Sequence, residues 1–394
     1  MKQPRLWTRN YISILIANGL TFTSFYYLLV TLPIFGLQDL DTNKTQVGLF
    51  TTMFLISAIV IRPFAGKWLE KTGKYAIFIS SLLILCGASL LYLLPVSFTS
   101  LLVIRFIHGV GFGMATTANG AIVADLIPES RKGEGMGYYG LTLNLGMVIG
   151  PFLGLTVINT GGTTVMFIIN AVVSLLAIVT GVFVRLPKKA NVTVNKTEAN
   201  NVKGLKGLLE PSGVPISLIA AFLALVYSAI VSFVAVYAIE QGFVEASSYF
   251  FVVYAVILLA SRPFTGKWFD LYGANYIIYP AILCFAIGTF LLASSTSSWI
   301  FLVSALLIGL GWGTVFPSLQ TIAIQVAEPE RRSAATAGFL SIFDFGFGIG
   351  SFVFGLVAAQ IGYKSLYFYS SFLVLIGIIV YYFLHGRKVS SQQN

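Results

Sequence analysis

Residues 62–73 read RPFAGKWLEKTG, and residues 262–273 read RPFTGKWFDLYG. Seven of the twelve positions are identical, and Glu70 stands opposite Asp270. The register continues on both sides. Gly109-Val110-Gly111-Phe112-Gly113 recurs as Gly309-Leu310-Gly311-Trp312-Gly313, Gly146 and Gly150 recur as Gly346 and Gly350, and Arg131-Lys132 recurs as Arg331-Arg332. Every match falls at one offset without an insertion, so the second half of the 394-residue chain is a copy of the first. A duplication of this length in an apolar chain points to two related helical bundles rather than to a solenoid of short repeats.

Composition decides the solvent. Hydrophobic residues make up 57% of the chain and charged residues 10%, against about 25% charged in soluble domains. So apolar a surface needs lipid. A span takes about 20 apolar residues, and about twelve such runs can be read, near 11–35, 46–66, 75–94, 98–126, 134–158, 164–186, 214–238, 247–266, 275–294, 298–326, 334–360 and 363–385. They predict an all-α polytopic membrane protein of 12 transmembrane helices. A β-barrel would instead show short segments of alternating polarity. The division is a first bundle over 1–186, a polar cytoplasmic linker over 187–212 bracketed by Pro187 and Pro211, and a second bundle over 213–394.

The net charge of +10 follows the loops. With the N-terminus inside, Lys44 and Lys364 fall outside and Arg105 falls within a span, while the remaining Lys and Arg gather on the cytoplasmic side. Both termini are therefore expected in the cytoplasm. The basic charge is a topology signal; no soluble basic domain exists to hold nucleic acid. The first span lacks a small-residue cleavage site and reads as a retained anchor. Cys86 and Cys284, in equivalent spans, read as small packing residues and not as a disulfide or metal pair. No metal-ligand set, cofactor motif or nucleophile–base cluster marks an enzyme, and no GxxxxGK[ST] loop marks ATP as the energy source.

Three motifs carry chemistry. The first is Arg62 with Gly66-x-x-x-Glu70-Lys71-x-Gly73-Lys74, in a loop that must turn tightly; its weaker copy keeps Asp270. Glycines there permit a tight turn and close helix approach, and Glu70 can sit at a helix N-terminus, where the macrodipole favours an anion. The second is Arg105-x-x-His108-Gly109-x-Gly111. A lone charge inside a span costs about 2.5–3.5 kcal/mol on insertion scales, so Arg105 should face a partner or water. His108 lies one turn away on the same face; its ordinary pKa of about 6.5 suits proton exchange, and a hydrogen-bonded packing role suits it equally. The third is Gly146-x-x-x-Gly150-Pro151-x-x-Gly154. Its glycines share one face, and Pro151 removes a backbone hydrogen bond. The copy has Ser351 in place of the proline.

Twelve helices in a 6+6 repeat, a central basic loop and these motifs resemble the major facilitator superfamily over nearly the whole chain, and its 12-helix drug/proton antiporter branch in particular. In that family the first motif has Asp where Glu70 stands. A basic residue of it pairs with an acid near the end of helix 4, for which Asp125 is the match, and the loop latches the cytoplasmic side against helix 11. The resemblance implies proton coupling at Arg105, where the family usually has Gln in place of His108. The third motif resembles the antiporter signature of exporters.

Asp344 lies about ten residues into its span, roughly 15 Å deep at 1.5 Å per residue, where its repeat equivalent is Asn144. An acid at that depth is a functional-site hypothesis, and three readings stay open: proton coupling, contact with a cationic substrate, or a part in the latch. Helices 1, 4, 7 and 10 of the resembled fold line the path. On them the cavity candidates are Asn18, Phe22, Tyr26, Thr116, Asn119, Tyr227, Phe233, Tyr237, Trp312, Phe316 and Gln320, with Asn144 on helix 5. The expectation is a monomeric, proton-coupled exporter of small amphipathic or cationic molecules in a bacterial cytoplasmic membrane. The alternative is a dedicated exporter of one metabolite class, such as an opine-type metallophore, sugar or amino acid.

Overall fold

The computed structural model describes residues 5–94, 97–128, 131–185, 210–328 and 332–387; for a few of these, Glu70 and Asp270 among them, only the backbone is described. The predicted linker falls almost entirely outside them. Among the described residues there are ten helical segments long and apolar enough to cross a membrane, and no strands. They are α1 (Arg9–Asp39), α2 (Lys44–Thr72), α3 (Lys74–Leu91), α4 (Phe98–Leu126), Lys132–Val182, α7 (Val214–Glu240), α8 (Val244–Tyr272), α9 (Ala274–Ala293), α10 (Ser298–Gln325) and Arg332–Tyr381. The two long segments are each broken at a glycine that leaves the helical region, Gly162 (φ 74°) and Gly362 (φ 76°). Each therefore counts as two helices: α5 (132–161) and α6 (163–182), and α11 (332–361) and α12 (363–381). Twelve helices result, with a π-helical turn, Tyr382–Gly386, after the last. A positive φ is open to glycine at little cost, which is why the chain reverses at these points rather than continuing one helix of 50 residues.

Local chemistry sets the helix starts. The Thr8 hydroxyl accepts from the Tyr11 N–H, Asn43 and Gln46 form a reciprocal capping box, and Ser97 and Ser100 form another. Each meets backbone donors that a helix N-terminus leaves unpaired.

The chain forms two compact units. One comprises Met1–Pro187 with Val231–Phe251, the other Lys188–Ile230 with Val252–Asn394. The duplication of sequence is a duplication of contacts within them. In the first unit a Cβ on Gly109 would strike the Phe54 carbonyl and Ser57, and one on Gly113 would lie 2.5 Å from the Ala58 oxygen, so α4 rests on the α2 backbone. A Cβ on Gly111 would lie 2.9 Å from the Leu85 nitrogen, which brings α3 against the other face of α4. In the second unit Gly309 meets Tyr254, Gly313 meets Leu258 and Gly311 meets Phe285, the same partners 200 residues on. Turns repeat as well: Gly73 (φ 94°) joins α2 to α3 and Gly273 (φ 84°) joins α8 to α9. With lipid outside there is little hydrophobic drive between helices, so close backbone approach at small residues does the packing.

Buried polar side chains tie the first unit together. Ser24 (α1) donates to Asn170 Oδ1 (α6) at 2.8 Å, Asn170 Nδ2 donates to Ser89 (α3) at 3.1 Å, and the Ser89 and Ser174 hydroxyls lie 2.8 Å apart. Asn170 is fully buried. Asn170→Leu is expected to cost about 1–2 kcal/mol by leaving the buried Ser24 hydroxyl without its acceptor and removing the donor to Ser89, read as a lower unfolding midpoint of the purified protein in micelles.

Candidate translocation and coupling site

The Gly-Pro motif places α5 on α1. A Cβ on Gly146 would lie 2.7 Å from Phe22 Cβ, one on Gly150 2.8 Å from the Thr23 oxygen and the Tyr27 nitrogen, and one on Gly154 2.8 Å from Thr31 Cγ2. The helix containing Pro151 thus lies against the backbone of α1, with Phe22 and Tyr26 half-buried beside the contact. The second unit repeats the packing without the proline. A Cβ on Gly346 would lie 2.5 Å from the Ala221 oxygen, and one on Gly350 2.7 Å from Leu225 Cα, setting α11 on α7.

Two cavity candidates, Asn18 and Asn119, close on each other inside the first unit, and Thr142 joins them. Asn119 Nδ2 donates to Asn18 Oδ1 at 2.9 Å, and Asn18 Nδ2 donates to Thr142 at 2.7 Å, joining α4, α1 and α5. Both asparagines are buried. Asn144, one residue past the α5 stretch that bears Thr142 and Leu143, donates to the Gly140 carbonyl at 3.2 Å. Thr116, half-buried on α4, donates to Phe112 at 2.9 Å. Phe233 and Tyr237 are fully buried.

Arg105 is fully buried on α4. Its Nε donates to the Phe50 carbonyl at 3.0 Å, and its guanidinium lies 4.3 Å from the centre of the Phe54 ring. Tyr92 lies next to the guanidinium as well, so the charge faces partners on α2 and at the end of α3. His108 meets the same Phe54 ring edge-on at 5.5 Å. Its Nδ1 lies 3.3 Å from the Tyr92 hydroxyl, and Tyr92 is held by parallel stacking on Phe167 at 5.4 Å. Tyr92 and Phe54 did not emerge from the sequence. Tyr92 comes from the end of α3, and no local pattern ties it to an α4 histidine.

In the second unit Asp344 is half-buried near the middle of α11. Among the described residues it is the one carboxylate far from any helix end. Its neighbour Phe343 belongs to an aromatic cluster that holds three of the cavity candidates. Trp312 stacks on Tyr227 at 4.1 Å and 13°, Phe316 lies 4.8 Å from Phe343, and Trp312 lies 6.1 Å from Phe343. The Tyr227 and Tyr254 hydroxyls are 3.1 Å apart. Phe316 and Gln320 are half-buried on α10, as Thr116 and Gly120 are on α4.

At the α2–α3 turn, Lys74 Nζ donates to Asp125 at 2.6 Å and to the Ala121 carbonyl at 3.1 Å, joining the start of α3 to the end of α4. Asp125, the acid to which the resemblance pointed, is therefore in contact with one of the motif's basic residues. Gly73 makes the turn through its positive φ. Among the described residues, nothing lies within 4 Å of a Cβ placed on Gly66. Arg62 is half-buried and Lys71 exposed; the Glu70 and Asp270 side chains lie outside the description. Because the Lys74–Asp125 pair is about a third exposed, and such pairs contribute about 0–1 kcal/mol, Asp125→Asn is expected to move the unfolding midpoint by no more than about 3 °C, at roughly 2–4 °C per kcal/mol. Elsewhere, Glu240 at the end of α7 pairs with Lys44 at the start of α2 at 2.8 Å.

Comparison with known proteins identifies this arrangement. The profile of the Major Facilitator Superfamily matches residues 14–327 and 247–394. The chain belongs to the Major Facilitator Superfamily. It is therefore a multi-pass membrane transporter and not an enzyme. Among the superfamily proteins it resembles is the staphylopine export protein of Staphylococcus aureus, 24% identical over 399 residues that cover 96% of each chain. Another is the quinolone resistance protein NorA of Staphylococcus aureus, 26% identical over 171 residues, 43% of this chain and 44% of that one. Among solved structures, a bacterial homologue of the lysosomal transporter Spinster, inward-facing and unoccupied, matches with a TM-score of 0.80 at 16% identity, over 97% of this chain and 98% of that one. The nucleoside transporter NupG (D323A mutant) matches with a TM-score of 0.77 at 12% identity, over 95% and 99%. These likenesses show the superfamily fold.

Proposed function

We propose that the chain is a proton-driven exporter of small amphipathic or cationic molecules working by alternating access between its two halves. The observation that carries this reading is Asp344. An acid in the middle of a spanning helix is expensive unless it is used, and here it directly follows Phe343, which belongs to an aromatic cluster with Tyr227, Trp312 and Phe316. Aromatic faces attract cations and tolerate varied shapes, and the Asp344 carboxylate on the same helix as Phe343 supplies a charge that either a proton or a cationic substrate can neutralise. Proton entry from outside would then release substrate, and proton loss inside would reset the carrier. A proton crossing with the membrane potential supplies about 2.3 kcal/mol per 100 mV. Arg105 and His108 form the second charged locus of this cycle, in the other bundle.

Export rather than uptake is supported by the α5 stripe of Gly146, Gly150, Pro151 and Gly154 and by relatives named for export and for drug resistance. In this reading the termini and the Lys74–Asp125 pair are cytoplasmic, the pair belongs to the latch that closes that side, and the carrier works as a monomer in a bacterial cytoplasmic membrane. One observation favours the narrower alternative, a dedicated exporter: the relative matched over 96% of both chains is named for a single compound. The test is accumulation of a panel of cationic dyes and metal-chelating amino-acid conjugates in inverted vesicles energised by a pH gradient. Uptake of several unrelated cations, abolished by a protonophore, supports broad export. Uptake of one class alone supports the dedicated reading. Uptake that persists undiminished after the gradient is collapsed rules out proton drive.

A further inference from the structure

The two units differ where α11 meets α7 and α12, and a cavity results. On α5 the glycines at 146, 150 and 154 all rest on α1. On α11 the series stops after two. Gly346 and Gly350 rest on Ala221 and Leu225 of α7, and Phe354 stands where α5 has Gly154. A phenylalanine cannot keep two backbones as close as a glycine does. On α12, Ser370 stands where the first unit has the bridging Asn170, so a smaller side chain occupies that position too. Two ties hold α12 to α7: the Tyr367 hydroxyl donates to the Ala229 carbonyl at 3.2 Å, and a Cβ on Gly377 would lie 2.5 Å from Leu223 Cδ2. Between these ties the three helices leave a cavity of about 490 Å³. Its floor on α7 is Phe222 and Leu225, both half-buried, and Val357 and Leu373 are half-buried on its sides. At the rim Val353, Ile361 and Tyr369 are exposed, Tyr369 by 60%. Val353 continues an exposed stripe with Ile349 and Leu356, and Tyr369 adjoins another of Phe368, Phe372 and Leu375. On a spanning helix an exposed apolar stripe faces lipid, so the cavity opens on the bilayer.

We propose that this cavity is a binding site for an acyl chain of a membrane lipid. Water does not fill such a space: an apolar cavity of about 150 Å³ already stays dry and takes an apolar guest. Left empty, it would forfeit dispersion contacts along every wall. Its volume falls within the range of about 300–1,000 Å³ typical of small-molecule sites. The mouth faces acyl chains, the most concentrated apolar groups within reach. None of the lining residues is charged, so the site offers no counterion to a cationic compound and no partner to a phosphate headgroup. Shape and the filling of a void select the guest, and a flexible chain suits an irregular space between three helices.

The test is photolabelling of the full-length protein in liposomes of phosphatidylglycerol and phosphatidylcholine that include a lipid with a diazirine midway along one acyl chain. Peptide mass spectrometry locates the label. Leu356 and Phe372, exposed on the outer stripes, report ordinary lipid contact. Label on Phe222 and Leu225, at the α7 floor, is expected in the wild type. It should fall by about tenfold in Val357→Phe, because the larger ring fills the space and leaves the guest no room, while label on Leu356 and Phe372 stays unchanged. Leu373→Phe, which fills the cavity from α12, is expected to do the same and serves if Val357→Phe does not fold. A floor that carries no label in the wild type, or label there undiminished in a folded cavity-filling variant, overturns the site. Floor label from a photoreactive aromatic cation, with none from the lipid, overturns the acyl assignment and gives the cavity to a transported compound.

Discussion

Gly109→Ala is expected to destabilise the protein by about 2 kcal/mol or more and to abolish transport, although alanine is intrinsically the better helix former. The propensity gain is about 0.8–1.0 kcal/mol. Against it stands a new methyl that would land on the Phe54 carbonyl and Ser57, atoms of the α2 backbone and of a side chain already hydrogen-bonded at 2.9 Å to that carbonyl. Backbone cannot rotate away as a flexible side chain can, and overpacking of this kind costs about 1–3 kcal/mol, occasionally more. The displaced segment also carries Phe54, on which Arg105 and His108 rest. Gly66→Ala is the matched control. Among the described residues nothing lies within 4 Å of its Cβ, so the propensity term stands alone and the unfolding midpoint should stay level or rise. Midpoints of the two variants, measured side by side with expression level, check both statements. A Gly109→Ala protein as stable as Gly66→Ala would mean that α2 and α4 are not packed as described.

Asp344→Asn is expected to abolish coupled proton movement, by tenfold or more, while leaving the fold intact. Asparagine has nearly the same volume, and the repeat itself places Asn144 at the equivalent position, so an amide is compatible with this point of the helix. Substrate contact through Tyr227, Trp312 and Phe316 should survive, read as retained binding of an aromatic cation with altered affinity. Should Asp344 serve the latch instead, coupling would persist and the rate of conformational exchange would change.

The fold was legible because its two strongest signals are written in one-dimensional terms. Runs of apolar residues near the length of a bilayer locate the helices, and the 200-residue offset announces that contacts will recur, as they do at Gly109 and Gly309, Gly111 and Gly311, and Gly113 and Gly313. The helix breaks at Gly162 and Gly362 fall between the predicted spans for the same reason. Part of the site was legible too. Arg105 stood out because a charge inside an apolar run is rare, and Lys74 and Asp125 stood out through the motif they resemble, and they meet at 2.6 Å. Tyr92, Asn170 and the Lys44–Glu240 pair did not stand out. Each acquires its role from a partner on another helix, at separations of 16 residues for Tyr92 and His108 and 146 for Ser24 and Asn170, and no periodicity of one helix encodes that. Asn18 and Asn119, chosen as polar lining, are hydrogen-bonded to each other inside the first unit.

The most direct test of proton-coupled export is simultaneous measurement of substrate and proton flux in proteoliposomes with an imposed pH gradient, comparing wild type with Asp344→Asn on a substrate that the wild type demonstrably moves. Proton movement that accompanies substrate in the wild type and disappears in Asp344→Asn is the predicted result. Substrate flux without any accompanying proton movement in the wild type, or proton coupling undiminished in Asp344→Asn, would contradict it.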